Sequence, residues 1–338
     1  MSVLTSIIAL SGVLGFQGSA EPVSLGRVFT KNEKLAYSVT SSLNAQSRQR
    51  GLQTWIPSDY DMNYDFTEFV EEMKADGIAV LHYQRPVVHQ IEGETFNSAP
   101  KETDEKVNMN FRLTISPINE ILEAKDLNEK PAKAPKKTGS NVVLPYAKGK
   151  QGSLGGILSQ FVGEMFRLSL FTGSFDSALD FAPKTPFDTV KVGETWKRTV
   201  GYQPQKLQGK GNKQAVQRLD YTFTYKGVVD SEGKKVYRVE GTLDFKSDLA
   251  EFINQLVGMK AEDTGLKKVP LSMKSTILFD LDMKTRHTIL AQAKTESGFA
   301  LYVTDYPDDP VEEENIKART TLRLVGDRVI PPVVKKKN

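Results

Sequence analysis

Cysteine is absent from the 338 residues of this sequence. Its absence excludes disulfide bonds, thiolate nucleophiles, thiolate zinc sites and iron–sulfur clusters, because each of these requires a cysteine sulfur. It also excludes the lipid-modified cysteine of a lipoprotein. We therefore expect the folded chain to be stabilised by packing alone.

Histidine is scarce, with three residues at His82, His89 and His287. No two of them have the spacing that places a pair of metal ligands on one face of a helix. The sequence has no Gly-x-Ser-x-Gly turn, and the stretch 149–156, GKQGSLGG, lacks the spacing of a phosphate-binding loop. We therefore assign no catalytic, cofactor-binding or metal-binding residue and expect a protein that is not an enzyme. An unrecognised hydrolase is the least favoured alternative, and it requires a histidine beside a serine and a carboxylate in a cleft.

An excess of charge of one sign is also missing, since 45 basic and 42 acidic side chains give a net charge of +3. This near balance disfavours nucleic acid as the main partner. The mean hydropathy of −0.38 is that of a soluble globular protein and argues against a membrane channel.

A single long apolar run extends from Val3 to Phe16, and it is shorter than the roughly 20 residues that span a bilayer. Gly18-Ser19-Ala20 follow it as a small-x-small pattern, which is typical of signal-peptide cleavage. We therefore predict a signal peptide over residues 1–20 that is cleaved near Ala20, although no Lys or Arg precedes the run. The alternative is a buried N-terminal helix. The mature protein is expected to be periplasmic or extracellular and not to span the membrane.

Apolar and polar residues alternate in many stretches, as they do in residues 107–115. Such alternation is typical of a strand with one buried and one solvated face. Three further stretches show it less cleanly, and their apolar residues are Ile277, Phe279, Leu281 and Met283; Val239, Leu243 and Phe245; and Phe299, Leu301 and Val303. The predicted fold class is mainly β (α+β), with two curved antiparallel sheets and two short amphipathic helices.

The two predicted helices follow Ser153 and Ser247-Asp248, where a side-chain oxygen can cap the first turn. Their apolar stripes are Ile157, Leu158, Phe161, Val162, Met165 and Phe166 in the first, and Leu249, Phe252, Ile253, Leu256 and Val257 in the second. Stripes of this width favour packing on a sheet over a ligand-binding or membrane surface.

A linker or long loop rich in Lys and Pro separates two halves of the chain, and its only acid is Glu129. The alternative is electrostatic docking to anionic lipid or cell-wall polymer, assisted by the Lys335–Lys337 tail. The predicted organisation is a signal peptide at 1–20, an N-terminal β-rich half at 21–127, the linker at 128–152, a C-terminal helix plus β-rich half at 153–330 and a basic tail at 331–338.

The two halves resemble each other in residues and in the order of elements. Lys31–Tyr37 matches Lys191–Trp196 in type, and Tyr64–Thr67 matches Tyr221–Thr224 in spacing from it. The turns at Gly77 and Gly233 and the hairpins at Asn119 and Thr285 fall at comparable places. We predict an internal duplication, for which chance similarity among hairpins is the alternative.

The stretch Phe181–Pro186 followed by Val190–Trp196 resembles an uncharacterised family of exported bacterial proteins, a domain of unknown function. In that family a proline-containing approach leads to a Val-x-Val-Gly-Asp/Glu-x-Trp motif at the start of a strand. The resemblance covers most of the mature chain in the order of elements, and it implies a shape similar to the two-halved lipoprotein carriers of the bacterial envelope. The residues themselves predict a turn at Gly193, a strand that Val190, Val192 and Trp196 begin, and a core position for Trp196.

Two acidic stretches deserve a test as cation sites. Asp59–Asp65 begins like a calcium-binding loop, but Tyr64 stands where the loop requires Gly and Val70 where it requires Glu. A strand with its acids on the wet face is favoured instead. The second stretch, Asp305–Glu314, contains two prolines, which favour a solvated connection between strands.

These observations favour an exported, non-enzymatic binding or carrier protein of the cell envelope with an apolar, lipid-like ligand. This hypothesis depends on the repeated alternation, because the apolar faces of the strands have a larger area than two short helices can cover. The alternative is a structural or interaction module that recognises an envelope protein or polymer. A large internal cavity supports the first, and a fully packed interior with an exposed aromatic patch supports the second.

Overall fold

The structure is a computed structural model, and it describes residues 21–93, 99–105, 109–128, 182–202, 216–257 and 260–326. The predicted signal peptide, the first predicted helix, the basic tail and nearly all of the predicted linker lie outside these residues. In the described part of the chain, no helix is both long enough and apolar enough to cross a membrane.

Strands account for most of the described residues. They are β1 (Lys34–Gln49), β2 (Ile56–Met73), β3 (Ala79–Arg85), β4 (Val88–Glu92), β5 (Lys101–Glu105), β6 (Met109–Ile115), β7 (Ile121–Asp126), β8 (Thr195–Tyr202), β9 (Gln217–Ser231), β10 (Lys234–Asp248), β11 (Leu266–Lys268), β12 (Pro270–Asp282), β13 (Thr288–Val303) and β14 (Glu312–Leu324). The helices are α1 (Ala250–Val257) and α2 (Ala261–Thr264), with a short 3-10 turn at Ala75–Gly77. The protein is therefore mainly β, as predicted.

All 14 strands belong to one antiparallel sheet, in the order β7-β6-β3-β2-β1-β14-β13-β12-β10-β9-β8, with β4, β5 and β11 attached beside this path. The prediction of two sheets is therefore wrong. The reason is the pairing of β1 with β14, which runs from Tyr37 opposite Leu324 to Gln49 opposite Glu312 and joins the two halves edge to edge. The order of the described strands ends at β7 on one side and at β8 on the other, and these two strands do not pair with each other.

The predicted alternation is confirmed in the burial of the strands. On β2, Tyr60, Met62, Tyr64 and Phe66 are buried on one face of the sheet, which we call the inner face, and the acids between them are exposed on the outer face. On β6, Met109, Leu113 and Ile115 are buried and Phe111 is half-buried, and the predicted apolar residues of β10, β12 and β13 are buried. Met283 is an exception, because it lies in the turn after β12 and is exposed.

The predicted start of β8 needs a small correction. Gly193 has a φ of +84°, which confirms the turn, but the strand begins at Thr195, so that Val192 lies outside it and is exposed. Val190 is buried and forms an isolated bridge with Val23. Trp196 packs against the core, and its indole Nε1 donates a hydrogen bond to the Lys184 carbonyl at 2.7 Å.

Corresponding turns in the two halves each contain two consecutive residues with positive φ, although the connection from β2 to β3 is longer than that from β9 to β10. Asp76 and Gly77 between β2 and β3 have φ of +58° and +72°, and Glu232 and Gly233 between β9 and β10 have φ of +52° and +78°. Two consecutive residues with positive φ are typical of the tight hairpin turn that fits the twist of antiparallel strands. The internal duplication itself stays a prediction.

Helix α1 is confirmed at the predicted place. The Asp248 carboxylate accepts hydrogen bonds from the backbone of Ala250 at 3.0 Å and of Val269 at 2.8 Å, so that it caps the helix and fixes the return of the chain toward the sheet. Phe252 and Ile253 are buried and belong to the core. These two residues of the stripe therefore pack inward, as expected for a surface helix.

Candidate functional site

The inner face carries aromatic side chains on both sides of its central strands. On one side, the ring of Phe66 lies between those of Tyr37 and Tyr83, at centroid distances of 4.9 and 5.1 Å. On the other side, Phe223 stacks with Trp196 at 5.8 Å. These contacts belong to a single apolar cluster that includes residues of both halves.

Five small buried side chains lie close together on this face of the central strands β1, β14 and β13, among larger apolar residues of the same strands. The hydroxyls of Ser41 and Thr320 are 2.8 Å apart, and Ala293 lies opposite Thr320 in the register. Ala318 and Thr295 form the next pair along the same two strands. All five residues are buried. We call this set the small-residue strip, and it runs between the two aromatic groups.

The packed interior leaves little space at one end of the inner face. A cavity of about 20 Å³ lies there, and its apolar lining includes Tyr37, Phe66, Ile115 and Leu322. This volume is room for about one water molecule. It does not accommodate a lipid-like ligand without movement of the surrounding residues.

A buried ion pair forms the polar side of this cavity. Arg27, in the segment that precedes β1, donates from Nη2 to Oε2 of Glu68 on β2 at 2.9 Å, and both side chains are almost inaccessible. The Arg27 guanidinium also lies 4.4 Å from the centroid of the Phe29 ring. Charges in such an environment persist only when they are paired, so each partner depends on the other.

Burial changes the pKa of several groups around the ion pair. It raises the pKa of Tyr37 well above the usual tyrosine value, and it raises the pKa of Glu33 despite the opposing charge of Arg27. It lowers the pKa of His287, and the positive charge of Arg27 lowers it further. The cluster therefore favours neutral Tyr37 and neutral His287 around the charged pair.

The turn between β12 and β13 orients His287. Asp282 accepts hydrogen bonds from the backbone of Lys284 and Thr285, each at 2.8 Å, and from the Thr285 hydroxyl at 3.0 Å. Burial by itself raises the pKa of Asp282, but these bonds outweigh it, and the pKa lies below its usual value. The Thr285 hydroxyl also contacts His287 Nδ1 at 2.5 Å. These bonds stabilise the turn and fix the orientation of the His287 ring.

The three histidines lie apart. His82 on β3 is hydrogen-bonded to Asn110 at 2.6 Å, and His89 on β4 is paired with Asp104 at 2.8 Å. In the part of the chain that the structure describes, none of the three is hydrogen-bonded to a serine. The hydrogen bonds of the described residues therefore give no support to the hydrolase alternative.

The acidic stretches considered from the sequence do not assemble a cation site in the described chain. Asp59 and Asp61 lie on the outer face of β2, and Asp59 accepts a hydrogen bond from Asn44 at 2.8 Å. Asp309 pairs with Arg50 at 2.6 Å. Across the described ranges, no group of three metal-ligating side chains is close enough to hold a metal ion.

Two open grooves lie on the polar outer face, with volumes of about 640 and 550 Å³. They share Lys274, and threonines, amides and both signs of charge line them. Lys274 pairs with Asp244 at 3.8 Å, and Glu296 lies opposite it in the register. The alternating charges form a cross-strand ladder that is typical of a solvated sheet face.

The sequence analysis did not predict the buried charged residues, although the alternation along β2 and β3 indicated two of them. Glu68 continues the series of inward residues on β2, and Arg85 continues the series on β3, where its guanidinium lies 4.7 Å from the centroid of the Tyr64 ring. A charged residue in phase with an apolar alternation indicates a buried charge. Arg27 carried no such signal, because its partner is set by the tertiary fold.

No protein-family model matches the chain, and no curated protein matches it in sequence. Among solved structures, a structure of lipovitellin described for its lipid–protein interactions has 12% identity and a TM-score of 0.38 over 91% of this chain. This chain spans only 26% of the lipovitellin chain.

Two bacterial structures are also similar at a lower level. A DUF1329 family protein from Desulfovibrio piger has 9% identity and a TM-score of 0.14, over 86% of this chain and 87% of that chain. An outer membrane lipoprotein-sorting protein domain from Vibrio parahaemolyticus has 7% identity and a TM-score of 0.14, over 87% of each chain. A domain of unknown function and a lipoprotein-sorting domain are thus among the similar structures, but at these TM-scores they carry no functional argument. A function for this chain therefore has to be inferred from its own geometry.

Proposed function

We propose that the mature chain is an exported, non-enzymatic binding or carrier protein of the cell envelope that holds an apolar, lipid-like molecule against its inner face. The observation that carries the proposal is the small-residue strip between two groups of aromatic side chains. Small side chains leave depth for a ligand, and aromatic side chains on both sides supply large apolar contact area. An elongated apolar molecule fits such a surface best.

The described helices are too short to cover the inner face, which supports the same proposal. The two described helices have eight and four residues, and their main contacts are with β11 and with each other. Among the described elements, neither helix makes an extensive contact with β1, β13 or β14. The two described helices therefore do not cover the central part of this apolar sheet face, which an apolar partner can cover once the face opens.

Binding requires the inner face to open, because the cavity at its end holds only about one water molecule. The sheet provides a route for opening. In the described chain, β7 and β8 each have a neighbouring strand on one side only, so that the two ends of the sheet are linked by hydrogen bonds between the β6–β7 turn and the segment before β8 and not by strand pairing. The carrier is thus expected to bind its ligand with a change in sheet curvature.

The direct test is native mass spectrometry, with lipid extraction, of the mature protein purified from a bacterial periplasm. We expect an apolar molecule to co-purify in near-stoichiometric amount. A clean mass for the unliganded protein contradicts the carrier function and makes a pull-down from envelope extracts the next experiment.

A matched pair of variants locates the ligand. Ala293→Leu enlarges a buried side chain of the small-residue strip, whereas Gln292→Leu places the same leucine at the neighbouring exposed position on the same strand. We expect the first to reduce the co-purifying ligand and the second to retain it, with folding of both checked by circular dichroism. If both variants fold and retain the same amount of ligand, the ligand does not bind at the small-residue strip.

A second function, recognition of an envelope protein or polymer, is favoured by the small size of the inner cavity. A closely packed interior needs no ligand, and an edge strand such as β7 or β8, which pairs with a single strand among those that the structure describes, can present backbone groups to a partner strand. The mass-spectrometry result distinguishes the two functions, because only the carrier retains an apolar molecule after purification.

A further inference from the structure

One side of the 20 Å³ cavity is lined by polar and charged side chains, although the surrounding interior is apolar. Besides its apolar residues, the cavity is lined by Arg27, Glu68, Asn119 and Thr288. These residues come from the segment before β1, from β2, from the β6–β7 turn and from β13. The cavity therefore lies where four separate parts of the chain meet.

Two polar atoms around this cavity have no protein partner within the described ranges. Arg27 uses Nη2 for Glu68, but its Nε is buried without a hydrogen-bond acceptor. Asn119 uses Nδ2 to donate to the Pro183 carbonyl at 2.8 Å, but its Oδ1 is buried without a donor. An unsatisfied buried donor or acceptor costs about 1–3 kcal/mol, so both atoms need a partner.

We propose that the cavity is a binding site for one structural water molecule, which accepts a hydrogen bond from Arg27 Nε and donates one to Asn119 Oδ1. The volume favours water, since a cavity of about 10–15 Å³ on this measure already holds one molecule. The charge balance favours a neutral ligand over an ion, because Arg27 is already neutralised by Glu68. Arg27 Nε is a donor and Asn119 Oδ1 is an acceptor, and one water molecule can accept from the first and donate to the second.

The water joins the two segments that lead into the halves of the sheet. The Arg27 backbone donates to the Pro117 carbonyl at 2.7 Å, and Thr185 donates from its backbone to the Ile118 carbonyl at 3.2 Å. The β6–β7 turn thus holds both the segment before β1 and the segment before β8, which also pair through Val23 and Val190. The water completes this contact by linking Arg27 to the same turn.

A crystal structure at a resolution that shows ordered water tests the site directly. We expect a density peak within hydrogen-bonding distance of both Arg27 Nε and Asn119 Oδ1. An empty cavity, or a direct bond between these two atoms, overturns the proposal.

A pair of variants tests it in solution through the sign of a stability change. Ala182 lines the cavity, and Ala182→Val introduces methyl groups that displace the water and leave both polar atoms unsatisfied. Ala124→Val on β7 is the control, because Ala124 is also partly buried against the core but does not line the cavity. We expect Ala182→Val to lower the Tm by more than the control. A Tm equal to that of the control, or a higher Tm, shows that the methyl groups fill a dry cavity and overturns the proposal.

Discussion

At the scale of single residues, the ion pair between Arg27 and Glu68 is the most consequential contact. Removing one member leaves a buried uncompensated charge, so Arg27→Met is expected to reduce the free energy of unfolding by about 3–5 kcal/mol. The double variant Arg27→Met/Glu68→Leu removes both charges and is expected to recover most of that loss. Urea denaturation measures both values.

The control for this experiment is the surface pair of Lys226 and Glu240, whose charged atoms are 3.3 Å apart in solvent. Lys226→Met is expected to change the free energy of unfolding by less than about 1 kcal/mol. Equal losses for Arg27→Met and Lys226→Met argue against a buried pair in solution.

The shifted pKa values predict a pH dependence with two opposite signs. His287 has a lowered pKa in the folded protein, so its contribution to stability is complete above the unfolded pKa of about 6.5 and is lost as the pH falls through the folded value. Glu33 has a raised pKa, so stability falls as the pH rises from about 4.5 through the folded value. Asp282 acts like His287, because its lowered pKa removes stability on acidification.

Single variants separate these contributions in urea denaturation at several pH values. We expect the stability advantage of the native protein over His287→Gln to shrink as the pH falls below about 6.5. The stability of Glu33→Gln relative to the native protein is expected to grow as the pH rises above about 4.5. Parallel pH profiles for the native protein and both variants contradict the assigned shifts.

At the scale of the strand, Gly241 on β10 determines how aromatic side chains pack on the inner face. A Cβ at this position lies 3.0 Å from the Phe223 ring and 3.5 Å from the Phe279 ring. Gly241→Ala therefore forces the rings apart, and we expect a loss of about 1–3 kcal/mol in the free energy of unfolding. Thr242→Ala, on the exposed face of the same strand, is expected to change it by about 0.5 kcal/mol or less. A neutral Gly241→Ala contradicts this packing.

Strands were the elements that the sequence predicted best. Alternation in residues such as Tyr60–Phe66 depends only on the two faces of one strand, so it is visible without knowledge of the neighbours. Helix α1 was equally visible, because its cap and its apolar stripe are local. The start of β8 was placed too early, since Val190 is buried by a bridge to Val23 that no local pattern shows.

At the scale of the whole molecule, the single sheet predicts cooperative unfolding of both halves. The two tryptophans report on them separately, because Trp55 lies next to β2 and Trp196 lies on β8. The variants Trp55→Phe and Trp196→Phe each leave one fluorescent probe. We expect the two probes to give the same urea midpoint, because the β1–β14 pairing couples the halves. Two separate midpoints indicate halves that fold independently.

The sequence by itself determined the composition-based exclusions, the strand-rich class, the inward series of apolar residues and helix α1. These properties depend on residue type and on spacings of two to four positions. Only the tertiary structure decided that the halves share one sheet, because the Ser41–Thr320 contact joins residues 279 positions apart. The polar cluster at Arg27 was decided in the same way, since its members lie far apart along the chain and meet only after the strands have paired. Local patterns select the elements, and the pairing of distant elements forms the candidate site.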